Sequence, residues 1–233
     1  MNNIIQDIRM RDETDYIMPV WLPFLPVLFS FLVFITVVTA GTHSIVGMGS
    51  VFLLYLVGAI IGLYVMYKWI ERRNKHFKRT VLLYQDLASY FESKGLNQEA
   101  DSIKRLIREM NVEFPDRSPV LWIVLSLITG GLLALYVLHF LNKDFYRHDQ
   151  REFYIWEDID KAMEKLGQPL SLRRTFFKIP DRNTVIYIVL TLITAGLFGF
   201  YWVYVTTVDP NEHFKQHRLL EDELLDKLNK LES

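Results

Sequence analysis

Asp144, His148 and Glu152 stand at positions i, i+4 and i+8, and His213, His217 and Glu221 repeat that spacing near the C-terminus. Residues four apart share one face of a helix. Two histidines with carboxylates so placed could hold Zn²⁺ or a similar ion, even across the two copies. The same spacing arises on any solvated or salt-bridged polar helix, and from spacing alone that is the favoured reading. A third copy, His76, Thr80 and Tyr84, lacks the complete set.

Other chemistry has little to build on. The chain has no Cys, which excludes disulfides, thiolate metal sites and a cysteine nucleophile. No phosphate-cradling glycine loop, serine elbow or zincin motif occurs. No enzyme activity and no organic cofactor are expected. The basic clusters Lys68, Arg72, Arg73, Lys75, Lys78 and Arg79 adjoin an apolar run. They suit anionic lipid better than nucleic acid.

The elements that would position these groups are membrane-like. Of 233 residues, 51% are hydrophobic, and they gather in four runs separated by charge: 18–40, 51–70, 120–141 and 184–207. About 20 apolar residues span the hydrocarbon. The sequence therefore predicts an all-α integral membrane protein with four hydrophobic membrane segments, amphipathic cytoplasmic helices and internal repeats. The divisions expected are 1–70 (tail and transmembrane hairpin), 71–114 (polar helical hairpin), 115–179 (second repeat) and 180–233 (third repeat). Gly95 should end the first helix of the polar hairpin and Asn97 should lie near the cap of the second. The segment 172–179, LRRTFFKI, could lie in the headgroup plane.

The repeats are explicit. Pro115–Leu138 and Pro180–Val203 match at thirteen of 24 positions, at an offset of 65. NKHFKRT, NKDFYRH and NEHFKQH follow the apolar copies, and each Asn could cap a polar helix. Pairs of small residues four apart mark each copy: Gly58/Gly62, Gly130/Ala134 and Ala195/Gly199. They are expected to be helix-packing faces.

The strings LITGGLLALYVL and LITAGLFGFYWVY, with the polar segments after them, resemble an uncharacterised archaeal and bacterial membrane family. That family is a domain of unknown function with a Thr-x-Gly-[Ile/Leu]-[Tyr/Phe]-x-x-Tyr-Trp core. Thr194, Gly196, Tyr201 and Trp202 carry the best match, and the likeness covers roughly residues 115–225. The resemblance implies a plasma-membrane protein and no activity.

Topology poses a conflict. Four straight spans would put 17 Lys and Arg residues on one side and 9 on the other, and would place the matching flanks of the repeats on opposite faces. Re-entrant hairpins, broken at Thr129–Gly131 and Thr194–Gly196, would gather every polar loop on the cytoplasmic side. Straight spans are the first expectation and re-entrant segments the second. Both place the N- and C-termini of a multi-pass cell-membrane protein in the cytoplasm.

The apolar runs contain hydroxyls but no Asp, Glu, Lys or Arg over 18–67, 119–138 and 184–207, which argues against an ion-coupled carrier. The function expected is a non-catalytic membrane scaffold or accessory subunit. Its partners would be lipids and either its own copies or another membrane protein. An oligomeric channel or passive transporter is the alternative, and a membrane-shaping protein the second alternative.

Overall fold

The computed structural model describes residues 1–40, 44–171 and 178–232, and among these every regular element is helical. Of the 172–179 segment, only Lys178 and Ile179 are among them. Helices α1 (Asn2–Arg9) and α2 (Arg11–Thr14) are followed by a 3-10 turn at Leu22–Phe24 and by α3 (Leu25–Ala40). Then come α4 (Ile45–Ser93), α5 (Asn97–Glu113), α6 (Pro119–Ile128), α7 (Leu132–Lys165), α8 (Thr184–Ile193) and α9 (Leu197–Glu232).

Two helical stretches, Leu22–Thr39 and α4, are long and apolar enough to cross a membrane. They pack side by side, and a Cβ built on Gly58 would lie 2.9 Å from Phe29 Cβ. Gly58 therefore sits at a close helix approach, with Gly62 facing Pro26 one turn on.

The other two small-residue pairs do not form helix faces, contrary to expectation. Gly130 and Ala195 have positive φ, at +58° and +49°, and lie in chain reversals. Ala134 is half-buried in the first turn of α7, where its N–H donates to Gly131 O at 3.0 Å. Gly199 is likewise at the start of α9, against Thr191 of the preceding α8. The turn between Gly130 and Ala134, and between Ala195 and Gly199, takes the first member of each pair off the helix that holds the second. Spacing of four makes a face only where the helix is continuous.

The last two apolar runs are thus not straight helices. Each consists of a ten-residue helix, a reversal and the start of a long helix. The Thr-x-Gly motif makes the reversal. Gly131 and Gly196 adopt φ of +93° and +94°, a region open to glycine. Gly131 N–H then reaches Ser126 O at 2.8 Å, and Gly196 N–H reaches Thr191 O at 2.7 Å, closing the first leg. The threonine joins the legs. Thr129 Oγ1 donates to Leu125 O and accepts from Leu133 N, and Thr194 Oγ1 repeats this with Leu190 O and Phe198 N. Ser118 and Asn183 cap the first legs identically.

The long helices run without a break from apolar to polar sequence. The boundary drawn at residue 70 falls inside α4, and the three Asn residues lie inside helices rather than capping them. They bond across the structure instead: Asn74 to Arg117 O, Asn142 to Thr206, and Asn211 to both backbone groups of Met18. Gly95, at φ +79°, ends α4 as expected, and Asn97 is the first residue of α5, next to its cap Leu96, also as expected.

The polar halves of α4, α7 and α9 pack with α1 and α5 around one core. Ile4, Leu83, Leu87, Phe91, Ile103, Ile155, Trp156, Ile159, Leu224 and Leu228 are all essentially inaccessible. Burying each such side chain stabilises by about 1.5–3 kcal/mol. Leu220, Leu224 and Leu228 show why the tail is helical: spaced by four, they present one apolar stripe to that core.

Helix α1 adds a pH-dependent contact. Burial of Asp7 raises its pKa from 3.8 to about 6, with repulsion from Asp86 adding and Arg79 opposing. A folded pKa above the unfolded value means a contribution present below about pH 4 and lost as pH rises through 6. Asp7→Asn is therefore expected to match wild type in melting temperature near pH 4 and to exceed it at pH 8. The gain should be about 2–4 °C, the shift about 1 kcal/mol gives in a chain this size. Thermal unfolding at the two pH values checks it, and equal gains at both would refute the assignment.

Candidate metal centre

Three histidines and a glutamate converge because three helices carry the same polar register: His76 from α4, Glu152 from α7, His213 and His217 from α9. Aligned on their Asn residues, α4, α7 and α9 present His76/Thr80/Tyr84, Asp144/His148/Glu152 and His213/His217/Glu221. All nine are buried. Phe77, Phe145 and Phe214, one residue after the first of each set, also pack together, with ring centroids 5.3 Å and 5.8 Å apart along the series. The i, i+4, i+8 faces thus point inward at one another.

At their meeting point lie His76, Glu152, His213 and His217, with one ligand atom from each within 4.8 Å of the others. Nε2 of His76 is 3.1 Å from Nε2 of His213. Oε2 of Glu152 is 3.1 Å from Nε2 of His213 and 2.8 Å from Nε2 of His217. The opposite nitrogen of each ring faces a carboxylate. Nδ1 of His76 is 3.0 Å from Asp15 Oδ1, and Nδ1 of His213 is 3.3 Å from Asp149 Oδ1. Nδ1 of His217 is 3.6 Å from Glu221 Oε1. The other oxygen of Glu152 accepts from the Tyr84 hydroxyl at 2.9 Å and lies 2.9 Å from Nε2 of His148.

The six residues singled out by spacing divide here. His213, His217 and Glu152 meet at the centre. His148 is next to it, stacked on Phe77 at 3.7 Å. Glu221 turns to Arg79, at 2.7 Å. Asp144 is away from it, held by Arg73 and by a two-pronged contact from Arg117. The equivalent pair in the third repeat, Arg182 and Asp209, makes the same fork. His76 is the residue that spacing passed over, although it heads the third copy of the register.

Electrostatics at the centre follow from burial opposed by neighbours. Burial pushes the Glu152 carboxyl up, but His148 and His217 outweigh it and hold Glu152 well below the ordinary carboxylate range. Burial also opposes charge on His217, yet Glu152 lifts its pKa to about 10. His213 is raised against burial and His217 by Asp149 and Glu152. Burial dominates at His76, which falls to about 3 despite Asp15.

Arginines satisfy what surrounds the centre. Arg79 spans Asp15 and Glu221 at 2.7 Å each. Pro210, inside α9, cannot donate to the carbonyl of Thr206. Arg72 fills that gap, donating to Thr206 O at 3.0 Å and to Asn211 at 2.8 Å.

Against known proteins, residues 182–221 match a family described as Domain of unknown function (DUF4234). That stretch carries the third repeat from Arg182 through Thr194, Gly196 and Trp202 to His213, His217 and Glu221. No curated protein and no solved structure matches the chain. The chain is thus similar, over its third repeat, to an uncharacterised family of unknown function.

Proposed function

We propose that the protein is a non-catalytic, multi-pass scaffold or accessory subunit of the cell membrane, with both termini and all polar segments in the cytoplasm. The observation that carries this reading is the pair of reversals at Gly130–Gly131 and Ala195–Gly196. Each turns its apolar run back on itself, so that α4, α7 and α9 lead into a single polar body. On this topology α3 and the first half of α4 cross the bilayer, while α6 and α8 enter only part-way. Ten residues reach about 15 Å, half of the roughly 30 Å of hydrocarbon. The threonine bonds satisfy the backbone at the tips. All 26 Lys and Arg residues then lie on one side, which resolves the charge conflict.

The hydroxyl pattern supports a scaffold over a pore. Ser30, Thr36, Thr39, Thr129, Thr191 and Thr194 each donate to a carbonyl four residues back in their own helix. Hydroxyls so used are poor lining for a polar path. Membrane shaping is the second reading, because two half-depth hairpins would wedge one leaflet. Tubulation of liposomes by the pure protein distinguishes it.

A single Cys at Lys161, in a chain without native Cys, tests the topology. In sealed inside-out vesicles an impermeant thiol reagent should label Lys161→Cys as fully as Lys230→Cys. Labelling of Lys161→Cys only from the outside overturns it. Pull-down from native membrane should recover a stoichiometric partner or a homo-oligomer. A monodisperse monomer in both mild detergent and native lipid overturns the scaffold.

A further inference from the structure

We propose that His76, Glu152, His213 and His217 bind one divalent transition ion of the Zn²⁺ class, which clamps the three repeats together at the centre of the polar body. This site is independent of any scaffold partner.

The carboxylates behind the rings point to a cation in front of them. When a carboxylate accepts the Nδ1 proton of an imidazole, the Nε2 lone pair is left facing the other way. Asp15 stands in that position behind His76 at 3.0 Å and Asp149 behind His213 at 3.3 Å, while Glu221, 3.6 Å from Nδ1 of His217, is taken up by Arg79. Metal-ligating histidines almost always have such a partner. Nε2 of all three rings and the Glu152 carboxylate meet at one spot sealed from water, each side chain no more than about 3% exposed. Nitrogen and oxygen atoms 2.8–3.1 Å apart in such a place must share a proton or a cation.

The dimensions fit a tetrahedral ion. Ligands at about 2.0–2.1 Å from Zn²⁺ are separated by about 3.3–3.4 Å along tetrahedral edges. The three short edges here, 2.8, 3.1 and 3.1 Å, lie close to that, and the widest, within 4.8 Å, closes by rotation of a side chain. Imidazole with one carboxylate suits Zn²⁺ and its neighbours rather than Mg²⁺ or Ca²⁺, which take all-oxygen sets. Four protein ligands with no solvent-open position describe a structural ion. An approach exists: a cleft of about 350 Å³ between α4, α5 and α7 reaches His148. The His148 ring lies 5.4 Å from that of His76.

The ion would join residues of α4, α7 and α9 directly, and the N-terminal segment through Asp15. That is a reason for three repeats to keep one polar register at their centre, where apolar side chains would otherwise pack.

The test uses tag-free, full-length protein in detergent, stripped with chelator and dialysed against Co²⁺ or Zn²⁺. The folded wild-type chain should retain about one equivalent by mass spectrometry. With Co²⁺ it should show the intense visible bands of tetrahedral coordination, and Zn²⁺ should abolish them. Glu152→Gln and His213→Ala should lose the bands. Asp149→Asn should bind about 10–100-fold more weakly. His139→Ala, away from the centre, should behave as wild type. Stripping wild type should lower its melting temperature and Zn²⁺ should restore it, which decides the matter even where a ligand variant fails to fold. An ion-free folded wild type, or tetrahedral bands that persist in Glu152→Gln, overturns the proposal.

Discussion

Arg79→Met should lower the melting temperature of the purified protein by roughly 6–20 °C. The guanidinium is 1% exposed and bridges Asp15 and Glu221, whose side chains are 4% and 0% exposed. Removing one member of a buried ion pair costs about 3–5 kcal/mol, because the charge left behind has neither partner nor water. Here two carboxylates are left, Asp15 with the neutral-leaning His76 beside it at 3.0 Å and Glu221 with Arg11 at 3.6 Å and His217 at 3.6 Å. Each kcal/mol corresponds to about 2–4 °C in a chain of this length. The loss should be structural as well as thermal. Asp15 ends the N-terminal segment, Arg79 is on α4 and Glu221 is on α9, so one side chain ties three distant stretches. Burial opposes the charge on Arg79, but Glu221 and Asp15 outweigh it and raise its pKa, so it stays charged at any working pH. Arg79→Lys should recover part of the stability, since an ammonium keeps the charge but cannot span both carboxylates with a planar fork. Thermal unfolding followed by far-UV circular dichroism checks both variants. A Met variant within 2 °C of wild type would mean that Asp15 and Glu221 are not held as described.

The repeats were plain in the sequence because their residues recur in register. The helical class and the 65-residue offset needed nothing more. The Thr-x-Gly motif was visible too, but its effect was not. An apolar run of 22 residues fits a straight span, and only two consecutive residues with positive φ, at 130 and 131, make it a hairpin. Glycine permits that conformation without requiring it. The same turn is why Gly130 and Ala134 looked like a packing face: their spacing presumed a helix that stops between them. The centre was half legible for a similar reason. Spacing of four puts His213, His217 and Glu221 on one face, but does not say whether the face meets water or another helix. That depends on α4 supplying a third inward face, and its copy of the register reads His, Thr, Tyr. His76 has no carboxylate four or eight residues on, so it lacked a local signature. Its carboxylate is Asp15, 61 residues earlier in the chain. The signal that could have found it was the alignment of His76 with His213 on the shared Asn-x-x-Phe, which puts both on the inward face of their helices, 3.1 Å apart. The buried Arg79 was masked likewise. In sequence it sits among basic residues that read as a lipid-facing cluster, although Arg72 and Arg73 are buried as well.

Gly131→Val with Gly196→Val should be the most damaging change among positions with no side-chain contact of their own. Nothing lies within 4 Å of a Cβ at either glycine, so the effect comes from backbone alone. At φ of +93° and +94° an L-residue is strained, by about 1–3 kcal/mol each, and a β-branched one most of all. The pair therefore costs roughly 2–6 kcal/mol, or about 4–24 °C. The chain can relieve that strain by continuing α6 into α7 and α8 into α9, because Val is tolerated in a helix interior better than Gly. Straightening, however, would pull Asp144, His148 and Glu152 away from α4 and α9. Relief of the turn and integrity of the polar body are thus in direct opposition, and either outcome lowers stability. Gly49→Ala is the matched control: it too has open space, but no positive φ, and should be neutral or stabilising by up to about 1 kcal/mol. A double variant that melts with wild type would show that the two reversals are absent from the folded protein.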